Sequence, residues 1–345
     1  MIGSEPQTSD IRWLNSMVEK SVEFIRSKKW ESEFNKCIRC GYCYELCPIF
    51  KSHSWESDTP RGKLLLIYGM ISGELKPTQE IVDKIFSCFY CKNCSDNCSA
   101  GVPFTEILTD ARADLIEAGF DIIGTIVSVD KDLCSVCGVC VPLCKYEALS
   151  IVDDGKDKKM IDVNKVECRG CGLCVAACPA GAISQTAGCD ITLPELQAKV
   201  VNLLHDNKDM KAIVFACNWS LFSGMQLSQS PTLIKTPYGF IVSMCSGRVS
   251  PELVLKAFQE GAWGVMVAGC PPEECDHDGN YKTRRRLVLL KNVLKQLNIE
   301  PERIKLDWFS TGESAKLQVA ITKFIDELDK LGPIQKIEVS NKIGG

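Results

Sequence analysis

Sixteen of the chain's 21 cysteines fall into four short stretches of matching spacing. These are CIRCGYCYELCP (37–48), CFYCKNCSDNCS (88–99), CSVCGVCVPLCK (134–145) and CRGCGLCVAACP (168–179). Zinc sites usually draw two cysteines from one CxxC and two ligands from a separate knuckle. Here three cysteines share one loop, where they can wrap three corners of an iron–sulfur cube. The fourth lies too far along to close the same cube. In the two-cluster pattern C-x2-C-x2-C-x3-C-P, that fourth cysteine ligates the neighbouring cluster.

The spacing therefore predicts four [4Fe–4S] clusters with crossed ligands. Cys37, Cys40, Cys43 and Cys98 form the first set, and Cys47, Cys88, Cys91 and Cys94 the second. Cys134, Cys137, Cys140 and Cys178 form the third, and Cys144, Cys168, Cys171 and Cys174 the fourth. Gly41, Gly138 and Gly172, each after a second cysteine, suit tight loops whose amides point at sulfide. Ser99 and Lys145 stand where the pattern has proline.

The rest of the composition fits this chemistry. A length of 345 residues predicts two or three domains, and 45 % hydrophobic residues can build real cores. A net charge of −4 gives no case for nucleic acid. No apolar run is long enough to span a bilayer, and MIGSEPQTSDIRWLNSMVEK lacks a signal peptide's basic start and apolar middle. The expected compartment is the cytoplasm, where thiols stay reduced, so the cysteines are not read as a disulfide framework. No GxGxxG or P-loop occurs, and there is no Cys-Cys doublet. With three histidines in all, no acid–base constellation is indicated.

The elements that position these loops differ between the two halves of the set. Motifs one and two flank an insert whose Leu64, Leu65, Ile67 and Tyr68 fit a helix entered at Pro60, and residues 104–119 read as an amphipathic helix. Motifs three and four are joined by strand-like segments, as in a compact dicluster ferredoxin. After residue 190 come a helix and connector, then four short apolar runs (KAIVFACNW, GFIVSMCSGRV, WGVMVAGC, RIKLDWFS) alternating with helical patterns. That alternation predicts a parallel α/β sheet. Cys217, Cys245 and Cys270 fall at carboxyl ends of its strands and Cys275 in the next loop, where open α/β sheets bind ligands. Four cysteines there could hold a [2Fe–2S] cluster or a zinc ion, and their spacing does not separate the two.

Residues 1–122, with CIRCGYCYELCP, TPRGK and CFYCKNCSDNCSAGV, resemble the iron–sulfur C subunit of heterodisulfide reductase, an α-helical ferredoxin. MCSGRV, VAGCPPEEC and GNYKTRRR resemble the delta subunit of methyl-viologen-reducing hydrogenase. That resemblance implies a [2Fe–2S] cluster on Cys217, Cys245, Cys270 and Cys275. The family often has a CxWC pair where this chain has Cys217-Asn218-Trp219-Ser220. The expected architecture is multidomain α and α/β: a helical two-cluster ferredoxin (1–122), a dicluster ferredoxin (123–189), a connector (190–210) and an α/β [2Fe–2S] domain (211–345).

Together the resemblances imply an electron-transfer subunit without a catalytic site of its own. Its partners would be a hydrogenase or dehydrogenase donor, a FAD-bearing flavoprotein resembling the A subunit of heterodisulfide reductase, with electron bifurcation as one outcome, and a cysteine-rich catalytic subunit. Other complexes reducing formate, methylene-tetrahydrofolate or aromatic rings would use the same wiring. A ferredoxin with a structural zinc domain is the reading from a different class. Among the remaining residues, Cys189 reads as a small core hydrophobe and His277 as a surface residue. Arg284, Arg285 and Arg286 read as a solvated or docking face rather than a nucleic-acid patch. Lys28, Lys29 and Trp30 read as part of an N-terminal helix packed on a partner or on the first cluster domain.

Overall fold

The computed structural model describes residues 22–47, 49–50, 55–88, 90, 92–120, 126–155, 158–186, 193–217, 236–310 and 313–334. Contacts divide the chain into two compact units. The first comprises residues up to Ile126 with Asn164–Arg169, and the second Val127–Val163 with Gly170 onward.

Every regular element described between residues 22 and 120 is helical: α1 (Glu31–Phe34), α2 (Tyr42–Leu46), α3 (Pro60–Ile71), α4 (Gln79–Phe86), α5 (Asn93–Asp96) and α6 (Phe104–Glu117), with 3-10 turns at Ser27–Trp30 and Glu56–Asp58. Helix α3 starts where the sequence predicts, because Pro60 supplies a helical φ and Thr59 Oγ1 accepts the Gly62 N–H at 2.9 Å. A side chain at Gly62 would run into the Glu56 carbonyl, so only glycine lets this turn close. Ile67, Val82, Ile85, Phe86, Ile107, Leu108 and Leu115 are fully buried together, each contributing about 1.5–3 kcal/mol by leaving water. Leu65 remains exposed, since it lies on the opposite side of α3 from Leu64 and Ile67. The segment containing Lys28, Lys29 and Trp30 packs on α6. Trp30 Nε1 donates to Asp110 Oδ2 at 2.6 Å, Lys29 pairs with the same carboxylate at 2.8 Å, and Ser27 Oγ donates to Asp114.

In the second unit, β1 (Ile126–Val129) pairs with β4 (Ile183–Thr186), and β2 (Leu149–Asp153) pairs antiparallel with β3 (Lys159–Val163). Helix α7 (Leu173–Ala177) precedes β4, and α8 (Leu193–Asp206) leads into a four-stranded parallel sheet. Its strands are β5 (Ala212–Cys217), β6 (Tyr238–Ser243), β7 (Gly264–Gly269) and β8 (Ile304–Trp308), in the order β6-β5-β7-β8. All four apolar runs after residue 210 are thus strands. Helices α9 (Pro251–Gln259), α10 (Gly279–Gln296) and α11 (Ser314–Leu331) alternate with them.

The sheet is buried on both faces, as a parallel sheet covered by crossover helices must be. Ile213, Phe215, Val265 and Val267 pack with Val200, Leu253, Leu287 and Leu290. The alternate residues Ala212, Val214, Ala216 and Met266 pack with Leu317, Ile321, Phe324 and Leu328 of α11. A two-residue period in the strands therefore meets helical periods on either side.

Candidate metal centres

All four cysteine loops share one backbone device. The residue before each second cysteine is left-handed: Arg39 (φ 56°), Tyr90 (57°), Val136 (53°) and Gly170 (61°). So is the residue after it: Gly41 (78°), Lys92 (61°), Gly138 (74°) and Gly172 (73°). Such reversals turn backbone N–H groups inward, forming a concave anion-binding loop. The sequence points only to the glycines. Arg39, Tyr90, Lys92 and Val136 adopt the same conformation at a cost of about 1–2 kcal/mol each, which something else must hold in place.

In the first unit that holding comes from buried and stacked cations. Arg61 Nη1 donates to the Arg39 carbonyl at 2.8 Å, and its guanidinium lies 4.6 Å above the Tyr44 ring. Arg112, 1 % exposed, donates from Nη2 to the carbonyls of Ile85, Phe86 and Cys88 at 3.0, 2.9 and 2.8 Å. It also stacks on Tyr90, whose ring carries Arg169 at 4.2 Å as well. Cys37, Cys40, Cys43 and Cys98 line one pocket together with Cys94, which the spacing assigns to the second set. Cys47 is buried, which with the charge of nearby Cys88 pushes its thiol up to about 11. The Lys63 ammonium, 1 % exposed, sits by Cys47 and Cys88 and donates to the Asp58 carbonyl. Burial pulls that ammonium below its usual range, and the neighbouring thiolate charges oppose the shift. Cys91 and Cys189 lie outside the described residues.

In the second unit, the charges of Cys134, Cys137 and Cys178 all act on Cys140, whose thiol is raised first by burial. These are the four residues of the third set. Of the fourth set, Cys174 is buried here, Cys168 is a buried residue of the first unit, and the Ala148 N–H lies 3.4 Å from Cys144 Sγ.

The sheet supplies the most enclosed group. Cys217 ends β5, Cys245 lies two residues past β6, and Cys270 follows β7 directly. Strand order reverses between β5 and β7, so these ends flank the topological switch point, where open α/β sheets place ligands. Cys217, Cys245, Cys270 and Cys275 pack into one cluster at 1, 2, 1 and 6 % exposure, and Cys171 of the fourth motif packs against them. Hydrogen bonding to its neighbours and burial raise the Cys245 and Cys270 thiols. The negative charge is favoured on Cys275, which accepts from Cys245 and Cys270 and faces the amides of Asn280 and His277.

Four thiols in contact cannot all ionise unless a cationic centre compensates them, which is what a metal or iron–sulfur group supplies. Backbone amides already reach sulfur at several corners: Tyr90 N–H to Cys88 at 3.5 Å and Gly247 N–H to Cys245 at 3.4 Å. Among the described residues, no group of three or more His, Cys, Asp or Glu suits a single metal ion. The fit to a multi-iron group rests instead on all-sulfur donor sets and amide-lined loops, and these residues suit it.

Two expectations are corrected here. His277 is a buried residue at 4 % exposure, set edge-on to Tyr146 with ring centres 6.0 Å apart, and not a surface residue. Arg286 is not part of a solvated face. It is half-buried and donates to the carbonyls of Gly247 and Val249 at 2.9 and 2.8 Å, while Arg284 and Arg285 remain exposed. The cause is helical period: Arg286 lies on the side of α10 that faces the Cys245 loop. Arg112, Arg248 and Gln185 carry no local signal and were not expected to act on these loops. No described helix is long and apolar enough to cross a membrane.

Comparison with known proteins matches three segments of the chain. The family model for the methyl-viologen-reducing hydrogenase delta subunit matches residues 212–332, and 4Fe–4S dicluster domain models match 33–102 and 133–182. The iron–sulfur D subunit of the vhc F420-non-reducing hydrogenase from Methanococcus voltae is 39 % identical over 140 residues, 40 % of this chain and 97 % of that protein. Its counterpart from Archaeoglobus profundus is 39 % identical over 125 residues, 36 % of this chain and 91 % of that protein. The A subunit of the ferredoxin:CoB-CoM heterodisulfide reductase from Methanosarcina mazei is 39 % identical over 212 residues, 60 % of this chain. The chain spans only 25 % of that relative's length. With a buried four-cysteine group at the strand ends and two cysteine-rich ferredoxin segments ahead of it, the chain belongs to the family of the methyl-viologen-reducing hydrogenase delta subunit, extended by two 4Fe–4S dicluster domains.

Proposed function

We propose that the chain is the iron–sulfur connector of a heterodisulfide-reductase-like oxidoreductase complex. It would relay single electrons between a hydrogenase or dehydrogenase, a flavoprotein and a catalytic subunit. Four [4Fe–4S] clusters would occupy the crossed cysteine sets, and one [2Fe–2S] cluster Cys217, Cys245, Cys270 and Cys275. The helical ferredoxin would occupy residues 1–122, the second ferredoxin 123–189 and the [2Fe–2S] domain 211–345, with 190–210 as connector. FAD would reside on the partner flavoprotein, where bifurcation would take place, and the complex would work in the cytoplasm.

The observation that carries this reading is the packing of Cys171, from a ferredoxin motif, directly against the four sheet cysteines. Sites in such contact suit electron relay, and an isolated structural zinc domain would have no need of it. The clusters supply the redox chemistry, while the protein's own residues position and tune them. The test is iron, zinc and acid-labile sulfide per chain on anaerobically purified protein. About 18 iron without zinc supports five clusters. About 16 iron with one zinc removes the sheet site from the path.

A further inference from the structure

Two cysteine loops from different parts of the chain interlock in the second unit, and one buried side chain joins them. Arg248 lies three residues after Cys245, at the end of the 3-10 turn Ser246–Arg248 that follows β6, and is 0 % exposed. Its Nε donates to Gln185 Oε1 at 2.9 Å, and Gln185 Nε2 donates in turn to the Gly170 carbonyl, next to Cys171. A side chain on Gly172, on the other side of Cys171, would collide with Arg248 Cδ and stand 2.7 Å from Gln185 Oε1. A side chain on Gly247 would collide with Leu173. The CRGCGLC loop and the CSGR loop thus touch through Cys171 and Cys245, Gly172 and Arg248, and Leu173 and Gly247.

We propose that Arg248, through Gln185, is a positioning residue that fixes the Cys171 loop against the Cys245 loop and places one positive charge beside both thiolate sets. A charge buried this completely is costly unless opposite charge and hydrogen bonds meet it. Gln185 meets one N–H, and in this proposal the thiolate groups of the two flanking loops compensate the charge. In return, a buried cation favours the reduced, more negative state of a neighbouring cluster, because net charge and hydrogen bonding set cluster potentials. Arg286 supports the same loop from beneath, through the Gly247 and Val249 carbonyls. Arg248 differs in reaching across to the other loop.

The inference rests on both thiol sets holding iron–sulfur clusters, and metal and sulfide analysis of the unsubstituted chain tests that part separately. The positioning role is tested on the full iron-loaded chain by redox titration followed with electron paramagnetic resonance, comparing R248M, R248K and Q185L. Expected is a fall in midpoint potential confined to the [2Fe–2S] signal and one [4Fe–4S] signal in R248M, with the other three clusters unshifted. R248K restores most of the potential, since the charge returns. Q185L keeps the charge but loses the link, so the magnetic interaction between the two clusters weakens without a matching fall in potential. Unchanged potentials in R248M at full iron content overturn the proposal, as does an equal shift in all five clusters. If R248M fails to retain iron, R248K and Q185L decide: a wild-type interaction signal in Q185L overturns it.

Discussion

Gly41 and Gly172 occupy equivalent positions in two cysteine loops, both left-handed, yet their surroundings differ. Nothing lies within 4 Å of where a Gly41 side chain would stand, whereas a Gly172 side chain would meet Arg248 and Gln185. Gly41→Ala should therefore cost about 1 kcal/mol, the backbone penalty alone. Gly172→Ala adds overpacking of about 1–3 kcal/mol. Denaturant midpoints of the iron-loaded variants check this, and equal midpoints would show that the Arg248 contact yields freely. At the same scale, Lys63 and Arg112 show why a cysteine motif is more than its cysteines. Buried cations hold carbonyls of the second loop and lie beside its thiols, so Arg112→Met should destabilise the first unit by about 3 kcal/mol or more, read as lowered denaturant midpoint and reduced iron retention.

At the scale of elements, the TPRGK segment explains itself residue by residue. Thr59 caps the helix, Pro60 opens it, Arg61 reaches the first cysteine loop, Gly62 admits the Glu56 carbonyl and Lys63 is buried by Cys47 and Cys88. Thr59→Ala should cost about 1 kcal/mol, seen as a lowered denaturant midpoint, since it leaves the Gly62 amide without its acceptor. Much of this level was legible. Val, Ile and Phe runs marked every strand of the parallel sheet, and Pro60 marked the start of α3. What could not be read was which side of an element faces another segment distant in sequence. Arg286 and His277 carry the residue types of a solvated surface, and only tertiary packing turns them inward. Arg248 lies inside a motif recognisable by eye, yet its partner Gln185 is 63 positions away, and no local pattern joins them.

Across the whole molecule, contacts join most of the second ferredoxin segment, Val127–Val163 and Gly170 onward, to the sheet domain in one compact unit. Tyr146 Oη donates to the Asp276 carboxylate at 2.7 Å, Lys145 pairs with Asp278 at 3.7 Å, and the Arg248 link lies alongside. Lys145, the departure from the expected proline, thus faces a carboxylate of the Cys275 loop. The two parts should unfold together, since loss of either part breaks the contacts that hold the other. Circular dichroism of the helices and sheet, and visible absorption of the clusters in this unit, should decay at one temperature. Two separate transitions would mean that the contacts do not couple the parts.

The enclosure of the sheet cysteines also bears on how the protein is made. Cys40 and Cys137 are exposed and can be reached after the chain has folded, whereas Cys217, Cys245 and Cys270 are sealed beneath their neighbours. If the sheet cysteines hold the proposed cluster, assembly has a built-in order: that innermost centre must be filled while the strand ends are still open, and the outer ones can wait. Damage to such a set would follow the reverse order: an oxidant arriving from solvent would reach the accessible loops first and the sealed one last.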